Sequence, residues 1–73
     1  IRARIDKLTP REQQVMELVV AGKPNRVIAE DLGVSPKTIE VHRANVMQKM
    51  QAGSLADLVK MAVAGRGDDP AAN

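Results

Sequence analysis

The stretch "PNRVIAEDLGVSPKTIEVHRANVMQKM", residues 24–50, decides the fold. It reads as two helices around a three-residue turn, Gly33-Val34-Ser35. The first is short, with Asn25 expected as its cap and Gly33 as its stop. The second opens with Ser35 as cap and Pro36 at the first helical position, where a missing N–H costs nothing, and runs to about Met50 before Gly53. At about 100° per residue, Ile39, Val46 and Met50 fall within roughly 20° of one another, with Arg43, Met47 and His42 on the shoulders. That stripe is the expected buried side. Lys37, Val41, Ala44 and Gln48 point the opposite way, flanked by Glu40 and Asn45. A core would not carry Lys37 and Gln48 here, and an ordinary solvated face would favour long charged side chains at 41 and 44. The pattern suits a surface that something approaches closely.

Outward from this pair, two more helices have their own punctuation. In "LTPREQQVMELVVAG", residues 8–22, Thr9 caps, Pro10 follows, Glu12 completes a Thr-x-x-Glu box and Gly22 closes. In "SLADLVKMAVAG", residues 54–65, Ser54 and Asp57 take the capping positions and Gly65 ends the helix. With no Phe, Tyr or Trp, the core must be built from Leu, Ile, Val, Met and Ala, which favours helices. The expectation is an all-α, four-helix bundle-like domain containing a helix-turn-helix and no winged element. It divides into an N-terminal linker remnant at 1–6, the domain at 7–65 and a disordered tail, "RGDDPAAN", at 66–73. The chain opens at Ile1 rather than Met, so a longer parent protein is expected.

Composition excludes several functions. Seventy-three residues leave little room for an enclosed substrate cavity. Without cysteine, and with a single histidine, neither a disulfide framework nor a metal cluster can be assembled. No nucleophile, base and orienting group come together, so no enzyme activity, cofactor or metal is expected. Apolar runs are far shorter than the roughly 20 residues that cross a bilayer, which points to a soluble, cytoplasmic protein. The net charge of +2 weakly favours an anionic partner, though a solvated surface explains such charge equally well. Its distribution is uneven: residues 1–11 hold Arg2, Arg4, Lys7 and Arg11, and residues 35–53 hold Lys37, Arg43 and Lys49, whereas the C-terminal part turns acidic.

In a helix-turn-helix the second helix enters the major groove of DNA while the first crosses the backbone. Lys37 can then donate to guanine O6 and N7, Glu40 can accept from cytosine N4, and Val41 and Ala44 can touch a thymine methyl. Asn25 and Arg26, at the start of the first helix of the pair, are candidates for phosphate, as are Thr38, Arg43, Asn45, Gln48 and Lys49.

These residues resemble the C-terminal DNA-binding domain of the LuxR/FixJ/NarL class of bacterial transcription regulators, most closely the FixJ-like response regulators. The likeness covers about residues 7–64. It is carried by Leu-Thr-Pro-Arg-Glu at 8–12, by Asn25 with Ile28 and Ala29, by the Val34-Ser35 turn, and by Thr38-Ile39-Glu40-Val41-His42 followed by Arg43-Ala44-Asn45. It implies a four-helix domain whose third helix reads DNA and whose fourth commonly forms a dimer contact, the output unit of a two-component regulator joined to an N-terminal receiver domain phosphorylated on Asp. Carried over by position, the base-facing places fall on Lys37, Glu40, Val41 and Ala44. Relatives with lysine or arginine at the positions of Glu40 and Ala44 differ from this chain, which moves the expected weight toward phosphate contacts.

The last helix is expected to bury Leu55, Leu58, Val59 and Ala62, leaving Ala56, Lys60, Val63 and Ala64 to meet a twin in a homodimer on DNA. His42 reads as a hydrogen-bonded structural residue, Glu12 as a capping residue, and the methionines as core fillers. Two further readings share the pattern. One is a helical protein-interaction module using the same face, and the other a sigma-factor-like promoter-reading domain, which makes RNA polymerase a candidate partner.

Overall fold

The computed structural model describes residues 2–65, and the tail expected at 66–73 lies outside them. Five helices follow one another: α1 (Arg2–Ile5), α2 (Pro10–Val20), α3 (Asn25–Leu32), α4 (Pro36–Met50) and α5 (Leu55–Gly65). Among the described residues there is no strand, and hence no wing. The four helices read from the sequence are present, and α1 is an addition inside the stretch read as a linker. Its Ile5, with Leu8 just beyond, is buried in the core, so this segment packs rather than trails.

The starts of the helices follow their side-chain chemistry. Thr9 Oγ1 accepts from the Glu12 N–H at 3.1 Å while Glu12 Oε1 accepts from the Thr9 N–H at 2.9 Å, the reciprocal box that the Thr-x-x-Glu spacing promises. Ser35 Oγ accepts from the Thr38 N–H at 3.1 Å to open α4, and Ser54 Oγ from the Asp57 N–H at 3.1 Å to open α5. Asn25 departs from expectation. The cap of α3 is Pro24, with no side-chain bond, and Asn25 is the first helical residue. Its amide oxygen is committed elsewhere, to a guanidinium, and a charge-assisted bond outweighs a neutral cap.

The ends also differ in kind. Gly33 closes α3 in the left-handed region at φ 69°, as its position after the helix predicts. α4 is closed by Gln51 at φ 57°, a non-glycine residue in that region.

Helix α4 packs against each of the other four helices, most extensively α2 and α3. Its Ile39, Val46 and Met50 are fully buried against Val15, Met16 and Val19 of α2, Ile28 and Ala29 of α3, and Leu58 and Ala62 of α5. Each such side chain contributes about 1.5–3 kcal/mol by leaving water, offset largely by lost conformational freedom. The C-terminal end of α4 is held from α1, whose Arg4 Nη1 donates to the Met50 carbonyl at 3.3 Å. In α5, Leu58 and Ala62 are buried as the stripe predicts, but Leu55 is 48% exposed. Periodicity fixes direction around a helix axis and not how far along it the neighbours extend; at its first residue α5 has outrun them.

Candidate nucleic-acid interface

With four neighbours around it, α4 still has one uncovered side. Lys37, Glu40, Val41, Ala44 and Gln48 are all exposed, Val41 by 53%. Among the described residues, none covers the centre of this face. The Gly33-Val34-Ser35 turn presents it by crossing α3 over and away: Val34 N–H donates to the Ala29 carbonyl at 3.0 Å, and Gly33 supplies the positive φ. The first turn of α4 has no acidic residue, so the positive end of the helix dipole and Lys37 act together there. The Thr38 and Ser35 hydroxyls share a hydrogen bond at 3.0 Å beside it.

One flank of the face is tied to α3. Arg43 Nη1 donates to Asn25 Oδ1 at 2.7 Å, so two residues read separately as phosphate candidates form one unit. Both are half-buried, and Arg26 beside them is exposed. The other flank, at spacings of four and three along the helix, carries Thr38, His42 and Asn45, all half-buried.

Lys49 continues that flank but faces a different task. Its Nζ lies 2.7 Å from Glu12 Oε1, pairing a half-buried ammonium with a carboxylate whose side chain is 5% exposed. The same carboxylate oxygen closes the α2 capping box. The Lys49 hydrogen bond, then the Thr9 backbone bond, hold the Glu12 carboxyl below its ordinary value against the opposing effect of burial. The sequence exposes only the local half of this arrangement. Residues 12 and 49 are 37 apart, and no short-range pattern announces their meeting.

His42 does not take the hydrogen-bonded role expected of it: its Nδ1 is buried and has no partner. On α5, Ala56, Lys60, Val63 and Ala64 are exposed, with Val63 at 38%, and the uncovered Leu55 adds to their apolar surface. Among the described residues no three His, Asp or Glu side chains gather in a way that would hold a metal ion, and no helix is long and apolar enough to cross a membrane.

Comparison with known proteins identifies the family and the fold. The family described as "Bacterial regulatory proteins, luxR family" matches residues 6–62. The chain is 63% identical over 65 residues to the transcriptional regulatory protein FixJ of Rhizobium meliloti, covering 89% of this chain and 32% of that one. To FixJ of Bradyrhizobium diazoefficiens it is 57% identical, covering 86% of this chain and 31% of that one. The crystal structure of full-length FixJ from B. japonicum superposes with a TM-score of 0.81 at 54% identity, over 89% of this chain and 32% of that chain. The chain therefore spans about a third of the length of the relatives it matches.

Proposed function

Because the chain belongs to the luxR family of bacterial regulatory proteins, as a FixJ-like helix-turn-helix DNA-binding domain, we propose that α4 is its reading helix and that the uncovered face enters the major groove. The observation that carries this reading is the 53% exposure of Val41 at the centre of a face flanked by polar side chains, on a helix otherwise packed on every side. In the groove Lys37 donates to guanine, Glu40 accepts from the cytosine amine, and Val41 and Ala44 contact thymine methyls. Asn25, Arg26, Thr38, Arg43, Asn45 and Gln48 hold phosphates around it. Lys49 is the weakest phosphate candidate of the set, since Glu12 already holds its ammonium and balances its charge.

In the parent protein this unit acts as the output of a two-component response regulator, under an N-terminal receiver domain, and controls transcription by RNA polymerase. Two copies bind as a dimer through the exposed edge of α5, Ala56, Lys60, Val63 and Ala64, with half-sites about one helical turn apart. The uncovered face of α4 in this domain argues that binding needs no phosphorylation.

Selection of bound duplexes from a random pool, using the 73-residue domain, tests all of this together. A recovered site with two related halves about 10 base pairs apart supports the dimeric reading, and a single half-site supports a monomer. For the recovered site, affinity should fall steeply between 50 and 200 mM salt, on the order of 10³-fold for six phosphate contacts. A flat salt response with no enriched sequence would favour a helix-in-groove protein contact instead.

A further inference from the structure

We propose that the trough between α2 and α3 docks a basic segment of RNA polymerase, one that carries an apolar side chain between Lys or Arg residues. This rests on the reading of α4 as the DNA-reading helix, because the partner is met by a domain already seated on its duplex.

Gln14, Glu17 and Leu18 of α2 and Asp31 and Leu32 of α3 line an open depression of about 340 Å³. Leu18 and Leu32, half-buried and packed against the core, make its floor, and the exposed Gln14, Glu17 and Asp31 make its rim. The apolar floor suits a single large side chain from a partner, and the two carboxylates on the rim select the charge around that side chain. Phosphate is repelled there. A segment with Lys or Arg on either side of a leucine or an aromatic residue matches both features. Asp31 already holds Lys23, Oδ2 to Nζ at 3.0 Å, with both side chains well exposed. An exposed pair of this kind contributes little, so exchanging Lys23 for a partner's cation costs little.

The trough and α4 lie against opposite shoulders of the same two helices. On α2, Glu12 and Leu18 stand three residues before and three after the buried Val15, about 120° apart around the axis. Glu12 reaches Lys49 of α4, and Leu18 lines the trough. On α3, Asn25 and Asp31 flank the buried Ile28 in the same way; Asn25 bonds Arg43 of α4, and Asp31 lines the trough. A duplex held by α4 therefore leaves the trough open to a protein standing on the same duplex. A second copy offering the Lys60 and Val63 edge of its α5 would join head to tail, a contact that repeats without closing. Control of transcription brings RNA polymerase to such a duplex, and with it the cationic partner that the rim selects.

The test uses the fluorescently labelled 73-residue domain on a template that sets its selected site beside a promoter, with purified RNA polymerase holoenzyme as the probe. Polymerase should tighten the domain's hold on the template about fivefold, the scale of one exposed charge contact. Asp31→Lys should abolish that gain, whereas Gln14→Glu, which adds a carboxylate to the rim, should raise it about twofold. Both positions are exposed, and both variants should hold the template alone within about threefold of the parent, because their charges act on it only through screening solvent. A photoactivatable phenylalanine placed at Gln14 should crosslink to a polymerase subunit on this template. A gain that Asp31→Lys leaves intact overturns the proposal, as does a crosslink to a second copy of the domain or, in the whole parent protein, to its receiver. Should the domain bind no template by itself, the DNA reading fails first; a domain that holds its template equally with and without polymerase loses the trough contact alone.

Discussion

Helices α2 and α4 begin almost identically and end up with opposite roles. Each has a hydroxyl cap, a proline and then a basic residue: Thr9-Pro10-Arg11 in one, Ser35-Pro36-Lys37 in the other. They part at the next position. In α2 it is Glu12, which returns to bond the Thr9 N–H, neutralises the helix end and becomes buried with Lys49 as its ion pair. In α4 it is Thr38, which leaves the positive end of the helix without a carboxylate. One start is satisfied from within the molecule. The other has no carboxylate of its own, and the uncovered face begins there.

The heaviest blow to this contrast is Val41→Glu. A carboxylate at the centre of the exposed face should cut specific binding about 100-fold or more by meeting base edges and phosphate oxygens, while circular dichroism stays unchanged because Val41 is exposed and outside the core. Retained affinity would mean that α4 does not read the groove.

The satisfied start is probed by removing each half of its ion pair. Lys49→Ala leaves the Glu12 carboxylate buried with only the Thr9 N–H and should cost about 2 kcal/mol in urea unfolding. Glu12→Gln, which keeps that bond and lets the Lys49 ammonium reach water, should cost about half as much. The acid side follows from the lowered Glu12 value. A carboxyl held below its ordinary 4.5 contributes stability that is complete above that pH and disappears as acid passes through the lowered value. Glu12→Gln should flatten the acid limb of the stability profile, and an unchanged limb would assign the acid sensitivity elsewhere.

Converting one start into the other gives a subtler result. Thr38→Glu would build the α2 pattern onto α4, raising stability by about 0.5 kcal/mol, a few degrees in Tm. It should also weaken every duplex about tenfold by placing a negative charge where a phosphate belongs. The two readouts should move in opposite directions. The smallest expected change is in Arg43→Ala, which should reduce affinity several-fold for all sequences and flatten the salt slope by about one unit. A loss confined to one base pair would make Arg43 a base reader.

What the sequence makes legible here is local. Ser/Thr-Pro starts, the Gly33 stop and the Ile39-Val46-Met50 stripe all act within a single element, and each is realised in the fold. The uncovered face of α4 is legible for the same reason, as the complement of that stripe. α1 is not, because four residues carry no period, and its place comes from Ile5 packing into a core assembled by other segments. The Glu12–Lys49 and Arg43–Asn25 contacts join residues 37 and 18 apart, and only the tertiary arrangement brings them together. Leu55 shows a different limit, since a stripe states which way a residue faces and not whether a neighbour reaches it.

The left-handed backbone at Gln51 sets the heading at which α5 leaves α4. If two copies join along α5, the distance between their two α4 helices is geared through that one residue. Exchanging it for glycine would lengthen nothing and remove none of the side chains on the uncovered face, yet it would loosen the spacing that such a pair could hold between its two α4 helices.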